Sequence, residues 1–253
     1  MEIKEEGLDL IQNLTEKKIV IFGGTGSVGE GILRSYLKSG ATVIIPSRSE
    51  KSKEKLLEIL AEDGKNEKLK FVISDYSDFD GAENTAKIIE QEYGKIDHVI
   101  ACVGGWWSGG PLWKVTDQAW KSQFEALSTT HIALTRAWIP RLDKEGSYQI
   151  ISGGSGKKPV EGSGIVSMQH ASLIMMGEVL GLETKETNRV FVFVLGVVNS
   201  RNRPAHKPYW ITAEQVGMVS SILAKENHIP SQVIELQDKA ALPNVLNNLE
   251  AQF

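Results

Sequence analysis

The segment Phe22-Gly23-Gly24-Thr25-Gly26-Ser27-Val28-Gly29 decides the fold. It directly follows the apolar run Lys18–Phe22 and opens the first amphipathic segment of the chain. In that context Gly23 allows a tight turn, Gly26 lets the backbone approach a pyrophosphate, and Gly29 permits close helix packing. The amino end of the helix would add N–H groups for phosphate. The segment therefore predicts a dinucleotide site; the alternative is a glycine turn that binds no ligand.

Outward from this segment, short apolar runs alternate with amphipathic ones along the whole chain. This alternation is typical of βαβ units and predicts a Rossmann-type α/β fold, a doubly wound parallel sheet in three α/β/α layers, as one domain over 1–253. The predicted strands are Lys18–Phe22, Thr42–Pro46, Leu69–Ser74, His98–Val103, Tyr148–Ser152, Val190–Val197 and Gln232–Leu236. The predicted helices are Gly29–Ser39, Ser49–Ala61, Asp78–Tyr93, Asp117–Arg141, Ile165–Thr184 and Thr212–Ala224.

Composition narrows the function classes. The 253 residues are 41% hydrophobic and carry a formal charge of −4, so neither nucleic acid nor an anionic membrane is an expected partner. No apolar run approaches the roughly 20 residues of a membrane span. A single cysteine, Cys102, and an acidic amino terminus fit the cytoplasm. The five histidines are scattered, and no metal site is expected.

The end of the second predicted strand bears on the choice of dinucleotide. It reads Pro46-Ser47-Arg48-Ser49 and lacks the carboxylate that commonly accepts the ribose hydroxyls of NAD. Arg48 instead offers a planar cation suited to a 2′-phosphate, with Ser47 beside it. These residues favour NADP, unless Arg48 is only a solvated residue at a helix start.

Further landmarks make the chain resemble a short-chain dehydrogenase/reductase over nearly its whole length. Asp75 and Tyr76 are similar to the family's segment after the third strand, where an aspartate contacts adenine. Ala101-Cys102-Val103-Gly104 stands in the place of the Asn-Asn-Ala-Gly signature, so Val103 and Gly104 are candidate cofactor contacts. The Gly-x-x-Gly-x-x-Gly spacing resembles the extended and atypical branches of the family.

The resemblance implies a tyrosine, a lysine four residues later, a serine and a helix asparagine in the active site. By counting along the sequence these positions fall on Val166, His170, Gly153 and Leu127, so all four depart from the pattern. Valine has no ionisable proton, and a positioned acid or base is commonly worth about 10²–10⁴ in rate. The chain cannot use the family's tyrosine mechanism.

Substitute groups are few. His170 lies on the side of the helix that Val166 faces and titrates near neutrality, so it could bond the ribose, relay a proton or only pack. Ser152 is the second catalytic candidate, one residue before the expected serine. Turn formation is the simpler interpretation of Ser152, Ser155 and Ser163, which lie in a glycine-rich loop. His131 could share the cleft, but a structural role is the simpler interpretation of a lone helix histidine.

The three loops after the fourth, fifth and sixth strands, 104–111, 153–164 and 199–208, are the expected walls of the site. In the first loop, Trp106 and Trp107 could cover a planar substrate, with Gly153 and Val166 completing the cleft. The two indole rings could equally pack under the loop or at a subunit interface.

Two functions remain open. One is an NADP(H)-dependent oxidoreductase that acts on a small organic substrate without the tyrosine and lysine. The other is a catalytically silent NADP(H)-binding protein that serves as a redox sensor or oligomer partner.

Apolar faces on helices Asp117–Arg141 and Ile165–Thr184 resemble the family's intersubunit bundle and predict a homodimer or homotetramer.

Overall fold

A single parallel sheet organises the chain, which the computed structural model describes over residues 11–251. Its seven strands follow the order β3-β2-β1-β4-β5-β6-β9, and every neighbouring pair is parallel. This confirms the predicted fold class. The strands are β1 Lys18–Phe22, β2 Thr42–Ser47, β3 Leu69–Ile73, β4 His98–Ala101, β5 Ser147–Gly153, β6 Arg189–Leu195 and β9 Gln232–Leu236. A separate pair, β7 Val198–Asn199 with β8 Ile211–Thr212, lies after β6.

Helices cover both faces of the sheet. They are α1 Ser27–Lys38, α2 Glu50–Leu60, α3 Phe79–Tyr93, α4 Asp117–Trp120, α5 Ala126–Trp138, α6 Gly164–Glu183, α7 Ala213–Lys225 and α8 Ala241–Glu250. One core joins the sheet to α1, α7 and α8 through residues such as Leu33, Val219 and Leu246. The other joins it to α3, α5 and α6 through Ala86, Leu134 and Leu173. Successive side chains of β1 enter the two cores alternately, as expected for a sheet covered on both faces.

The predicted helix Asp117–Arg141 is wrong as one continuous helix. A π-helical segment at Lys121–Glu125 separates α4 from α5, and a 3₁₀ turn at Ile139–Arg141 follows. A π turn inserts one residue into the helical repeat and shifts the face that the following side chains present. Helix α8 was missed; its Pro243 lies in the first turn, where no intrahelical donor is lost.

Helix α6 is the one helix within 11–251 that is long and apolar enough to cross a membrane by length and composition. It packs against β5 and β6, and Leu173 and Ile174 are buried in the core beneath it. These contacts place one face of α6 against the sheet.

The sheet reverses its winding between β1 and β4. The end of β1 pairs with the end of β4, Phe22 with Ala101, and both strands point their carboxyl ends to the same edge. A ligand crevice is expected outside such a switch point. The glycine loop follows β1 at this place.

Candidate functional site

A cavity of about 900 Å³ opens at the carboxyl edge of the sheet. All three loops expected as site walls contribute to it, together with the start of α1 and the middle of α6. The lining residues include 26–29, 102–106, 151–155, 169–170, 195–198, 200 and 202–204. The predicted cofactor loop and the predicted catalytic histidine therefore share one cavity.

The glycine loop fits a dinucleotide pyrophosphate. Gly23 has φ +76°, and a Cβ there would lie 2.1 Å from the Cys102 carbonyl oxygen. A Cβ on Gly29 would lie 2.3 Å from the Gly23 oxygen, so only glycine lets α1 begin this close to β1. The N-cap residue Gly26 provides no side-chain cap to α1. The first turn of α1 faces the cavity with N–H groups suited to phosphate.

The other predicted cofactor residues lie around this loop. Val103 and Gly104 line the cavity, whereas Thr25 does not. The Thr25 carbonyl accepts a bond of 3.1 Å from the Arg201 guanidinium, and Arg201 also pairs with Glu30 on α1. These contacts hold the loop after β6 against the glycine loop.

The predicted adenosine-side residues do not line the cavity. Arg48 is exposed after β2, and Ser47 is buried with its hydroxyl donating to the Ser49 carbonyl at 2.9 Å. Asp75 is exposed and accepts a bond from the Ser77 N–H. Tyr76 is buried, with its ring 4.9 Å from Phe22 in an edge-on contact. Burial raises the pKa of the Tyr76 phenol, and nearby Arg48 opposes that rise.

Ser155 and Gly153 together determine where the His170 ring lies. Its Nδ1 lies 2.8 Å from Ser155 Oγ, at hydrogen-bond distance. A Cβ on Gly153 would lie 2.5 Å from Cε1 and 2.6 Å from Nδ1 of the ring. The imidazole thus occupies the space next to the position where the family's serine would stand, and glycine is what makes room for it.

Two predicted site residues, Val166 and Trp107, lie away from the cavity, and a third, Ser152, lines it with its hydroxyl already bonded. Ser152 is buried and donates to the His170 carbonyl at 3.1 Å, a bond that ties β5 to α6, so its hydroxyl has a structural partner. Val166 is buried and does not line the cavity. Trp107 turns back over its own loop, with its ring 2.1 Å from where a Gly109 Cβ would stand. Of the two indoles, only Trp106 lines the cavity.

The electrostatics of the cavity keep His170 neutral. Burial, and to a smaller extent the nearby His131, lower the pKa of His170 to about 4. Burial likewise lowers the pKa of His131 to about 4, and His131 Nε2 lies 2.8 Å from the Val103 carbonyl. A carbonyl can only accept, so Nε2 carries the His131 proton. Removal from water raises the pKa of the Cys102 thiol to about 12, which keeps it protonated.

Sequence reasoning missed several lining residues. Lys158 and Arg203 line the cavity, and no carboxylate within residues 11–251 does so. Gln169 also lines it; the side chain is 3% exposed, and its Nε2 has no partner among the described residues. Gln169 directly precedes the position of the family's lysine, so the resemblance could have marked it as a site neighbour.

Comparison with known proteins shows the family of this chain. Residues 17–208 match the short chain dehydrogenase family, and the chain belongs to it. An uncharacterized oxidoreductase of Bacillus subtilis, YvrD, is 27% identical over 179 residues. That match covers 69% of this chain and 65% of the relative, so the chain spans just under two thirds of that relative's length.

Solved structures share the fold. A short chain oxidoreductase of Pseudomonas aeruginosa, described as containing an atypical catalytic center, has a TM-score of 0.77 at 16% identity; 88% of this chain and 97% of that one are covered. A short chain dehydrogenase of Burkholderia cenocepacia in complex with NADP has a TM-score of 0.77 at 16% identity, over 89% and 98%. At this identity the likeness supports the fold alone.

Proposed function

We propose that this chain is an NADP(H)-dependent oxidoreductase that reduces a small activated carbonyl compound or quinone without the family's tyrosine and lysine. The observation that carries the proposal is the shared cavity, into which both the first turn of α1 and the His170 ring open. Family membership supports the class of reaction, and the NADP complex of the Burkholderia relative supports the class of cofactor. The substrate class rests on the missing tyrosine.

In this proposal the chain's own residues have separate roles. The N–H groups of Ser27, Val28 and Gly29 bind the pyrophosphate, and Arg48 binds the 2′-phosphate. The bound reduced nicotinamide supplies a hydride. His170 supplies the proton to the acceptor oxygen, since it is the titratable side chain of α6 that lines the cavity. Trp106 forms an aromatic wall against which a planar acceptor can stack.

The cofactor assignment is tested by titration of Trp fluorescence with NADPH and NADH. We expect NADPH to bind more tightly, because Arg48 is exposed and can form charge-assisted bonds to the extra phosphate. Arg48→Asp should make NADH the tighter ligand, because the loss of such bonds weakens NADPH binding by about 10-fold. Lys55→Asp is the matched control, because it makes the same charge change on the exposed side of α2. Equal wild-type affinities would remove Arg48 from the site.

The reaction class is tested by product analysis. Wild-type protein is incubated without oxygen with NADPH and 9,10-phenanthrenequinone, and the hydroquinone formed is quantified by chromatography beside an enzyme-free control. NADPH consumption above the control, with one equivalent of reduced product, is the expected result. Tight NADPH binding with no turnover across quinones and dicarbonyls would overturn the enzyme proposal and favour the silent redox-sensor alternative.

Assembly and location are further proposals. Ile132 on α5 and Met168, Met175, Val179 and Leu182 on α6 are exposed apolar residues, with Leu182 79% exposed. We expect this surface to pair with a second copy as a homodimer or homotetramer in the cytoplasm. Light scattering that finds only a 27.8 kDa particle at micromolar concentration would contradict the oligomer.

A further inference from the structure

The His170 imidazole poses a chemical problem for the proposed function. Burial and its neighbours keep the ring neutral, and the charged side chains of the cavity, Lys158 and Arg203, are both cations. No carboxylate among residues 11–251 lines the cavity to stabilise an imidazolium. A neutral imidazole that gave up its one proton would become an anion in a desolvated site, which is costly. The ring therefore needs to receive a proton as it gives one.

Ser155 is placed to supply that proton. Its Oγ lies 2.8 Å from His170 Nδ1, whereas the neighbouring Ser152 hydroxyl is held by the His170 carbonyl. Ser155 also lines the cavity and is only half-buried, so solvent can reach it. When the Ser155 hydroxyl donates to Nδ1, the single ring proton resides on Nε2, the other nitrogen of the ring.

We propose that Ser155 and His170 form a proton relay in which His170 gives its Nε2 proton to the acceptor oxygen and takes the Ser155 hydroxyl proton at Nδ1. Water in the cavity returns a proton to Ser155 Oγ in the same relay. The acceptor gains one proton, which comes net from solvent, beside the hydride that bound NADPH would supply. Ser155 acts through His170 and is a positioning residue. This inference rests on the proposed function.

The arrangement accounts for two departures from the family pattern together. A side chain at Gly153 would overlap the imidazole ring, with its Cβ 2.5 Å from Cε1. Loss of the serine position and gain of the histidine are therefore sterically coupled. The hydroxyl that the family places at 153 is supplied two residues later, by Ser155, and it contacts the ring directly.

The first test needs neither cofactor nor substrate. Long-range ¹H–¹⁵N correlation of the histidine rings at pH 7 reports which nitrogen of His170 carries the proton. The expected result is the Nε2–H tautomer, with Ser155→Ala producing a mixture of tautomers. Ser167→Ala is the matched control, because this α6 hydroxyl has no partner within 11–251 and does not line the cavity. A wild-type ring protonated at Nδ1 would overturn the relay and leave the proposed function standing.

The second test uses turnover of 9,10-phenanthrenequinone with NADPH. Ser155→Ala should lower kcat by about 10-fold with little change in KM, the lower range for a positioned proton donor. Ser155→Thr should restore most of the rate, because it keeps the hydroxyl. The solvent deuterium isotope effect on kcat should fall in Ser155→Ala. Wild-type kcat and isotope effect in Ser155→Ala, beside a loss in His170→Ala, would leave His170 as donor and overturn the relay.

Discussion

The same serine–histidine hydrogen bond occurs at the two ends of this sheet. At the amino edge His98 Nδ1 lies 2.9 Å from Ser147 Oγ; at the carboxyl edge His170 Nδ1 lies 2.8 Å from Ser155 Oγ. The first pair is sealed in the core, with His98 1% exposed, whereas the second lines a cavity of about 900 Å³. The hydrogen-bond distances of the two pairs are therefore nearly the same, and the pairs differ in their access to the cavity.

The His98–Ser147 pair is enclosed by other buried polar groups, whereas the His170–Ser155 pair faces open space. Ser147 also accepts a hydrogen bond from the Gln149 side chain, which donates to the carbonyl of Ser220 in α7. Burial lowers the pKa of His98 to about 3, with the Arg189 charge adding to the effect. This cluster joins β4, β5 and α7 and has no opening. The Ser155 pair faces the start of α1 and two loops, where a ligand has room.

The largest expected difference between the two histidines is chemical access. Diethylpyrocarbonate acylates unprotonated imidazole, so we expect native protein at pH 7 to be modified at His170 and spared at His98. Reaction at His98 requires opening of the core, which at a typical stability of about 5 kcal/mol slows it on the order of 10³-fold. Peptide mapping by mass spectrometry gives both rates in one sample. Comparable rates at His98 and His170 would contradict the distinction.

The second difference is in stability. His98→Ala should lower the free energy of unfolding by about 2–4 kcal/mol, because it empties a sealed site and removes a partner of Ser147. His170→Ala should change it by less than about 1 kcal/mol, since the ring borders a cavity. Urea unfolding followed by circular dichroism measures both. A larger loss for His170→Ala would mean that its pair is the structural one.

The third expectation concerns pH. Burial holds the pKa of His98 near 3 and those of His131 and His170 near 4, below the unfolded value of about 6.5. The unfolded chain therefore binds more protons as pH falls below about 6.5, and stability is lost from there downward. Each neutral histidine contributes up to roughly 1.4 kcal/mol per pH unit. His98→Gln should reduce the slope between pH 6 and 5; an unchanged slope would show that His98 is already charged.

The smallest expected effect tests the steric coupling between Gly153 and the His170 ring. Gly153→Ala places a Cβ 2.5 Å from the His170 ring and should cost about 1 kcal/mol of stability. In the His170→Ala background the same change should cost close to nothing, because the ring is gone. The coupling free energy from this double-mutant cycle in urea should be about 1 kcal/mol. Additive effects would show that the backbone yields and that the ring does not require glycine.

Much of the fold follows from the sequence. Strand Lys18–Phe22 is predictable at its observed bounds, because buried parallel strands are continuously apolar. The glycine loop was predictable because its glycines are required by close backbone approaches. The π segment Lys121–Glu125 has no comparable signal, since its residues suit an ordinary helix. Helix α8 does have one, in the apolar spacing of Leu242, Leu246 and Leu249.

The site was less predictable for a physical reason. His170 and Gly153 could be located by counting, but the partner of the imidazole depends on how the turn at 154–156 directs its side chains. The sequence around Ser152, Ser155 and Ser163 does not show which hydroxyl contacts the imidazole, and only the folded loop brings Ser155 Oγ to 2.8 Å from His170 Nδ1. The indole that faces the cavity, Trp106 rather than Trp107, is likewise set by loop backbone conformation.

The central claim is that His170 is the proton donor of an NADP(H)-dependent reductase. Its most direct test is steady-state NADPH oxidation by wild type and His170→Ala across a panel of simple ketones, dicarbonyls and quinones. We expect activated carbonyls to be reduced and simple ketones to turn over extremely slowly, with His170→Ala lowering the rate by about 10-fold or more. Brisk wild-type turnover that is indifferent to His170→Ala would contradict the account and locate the donor elsewhere.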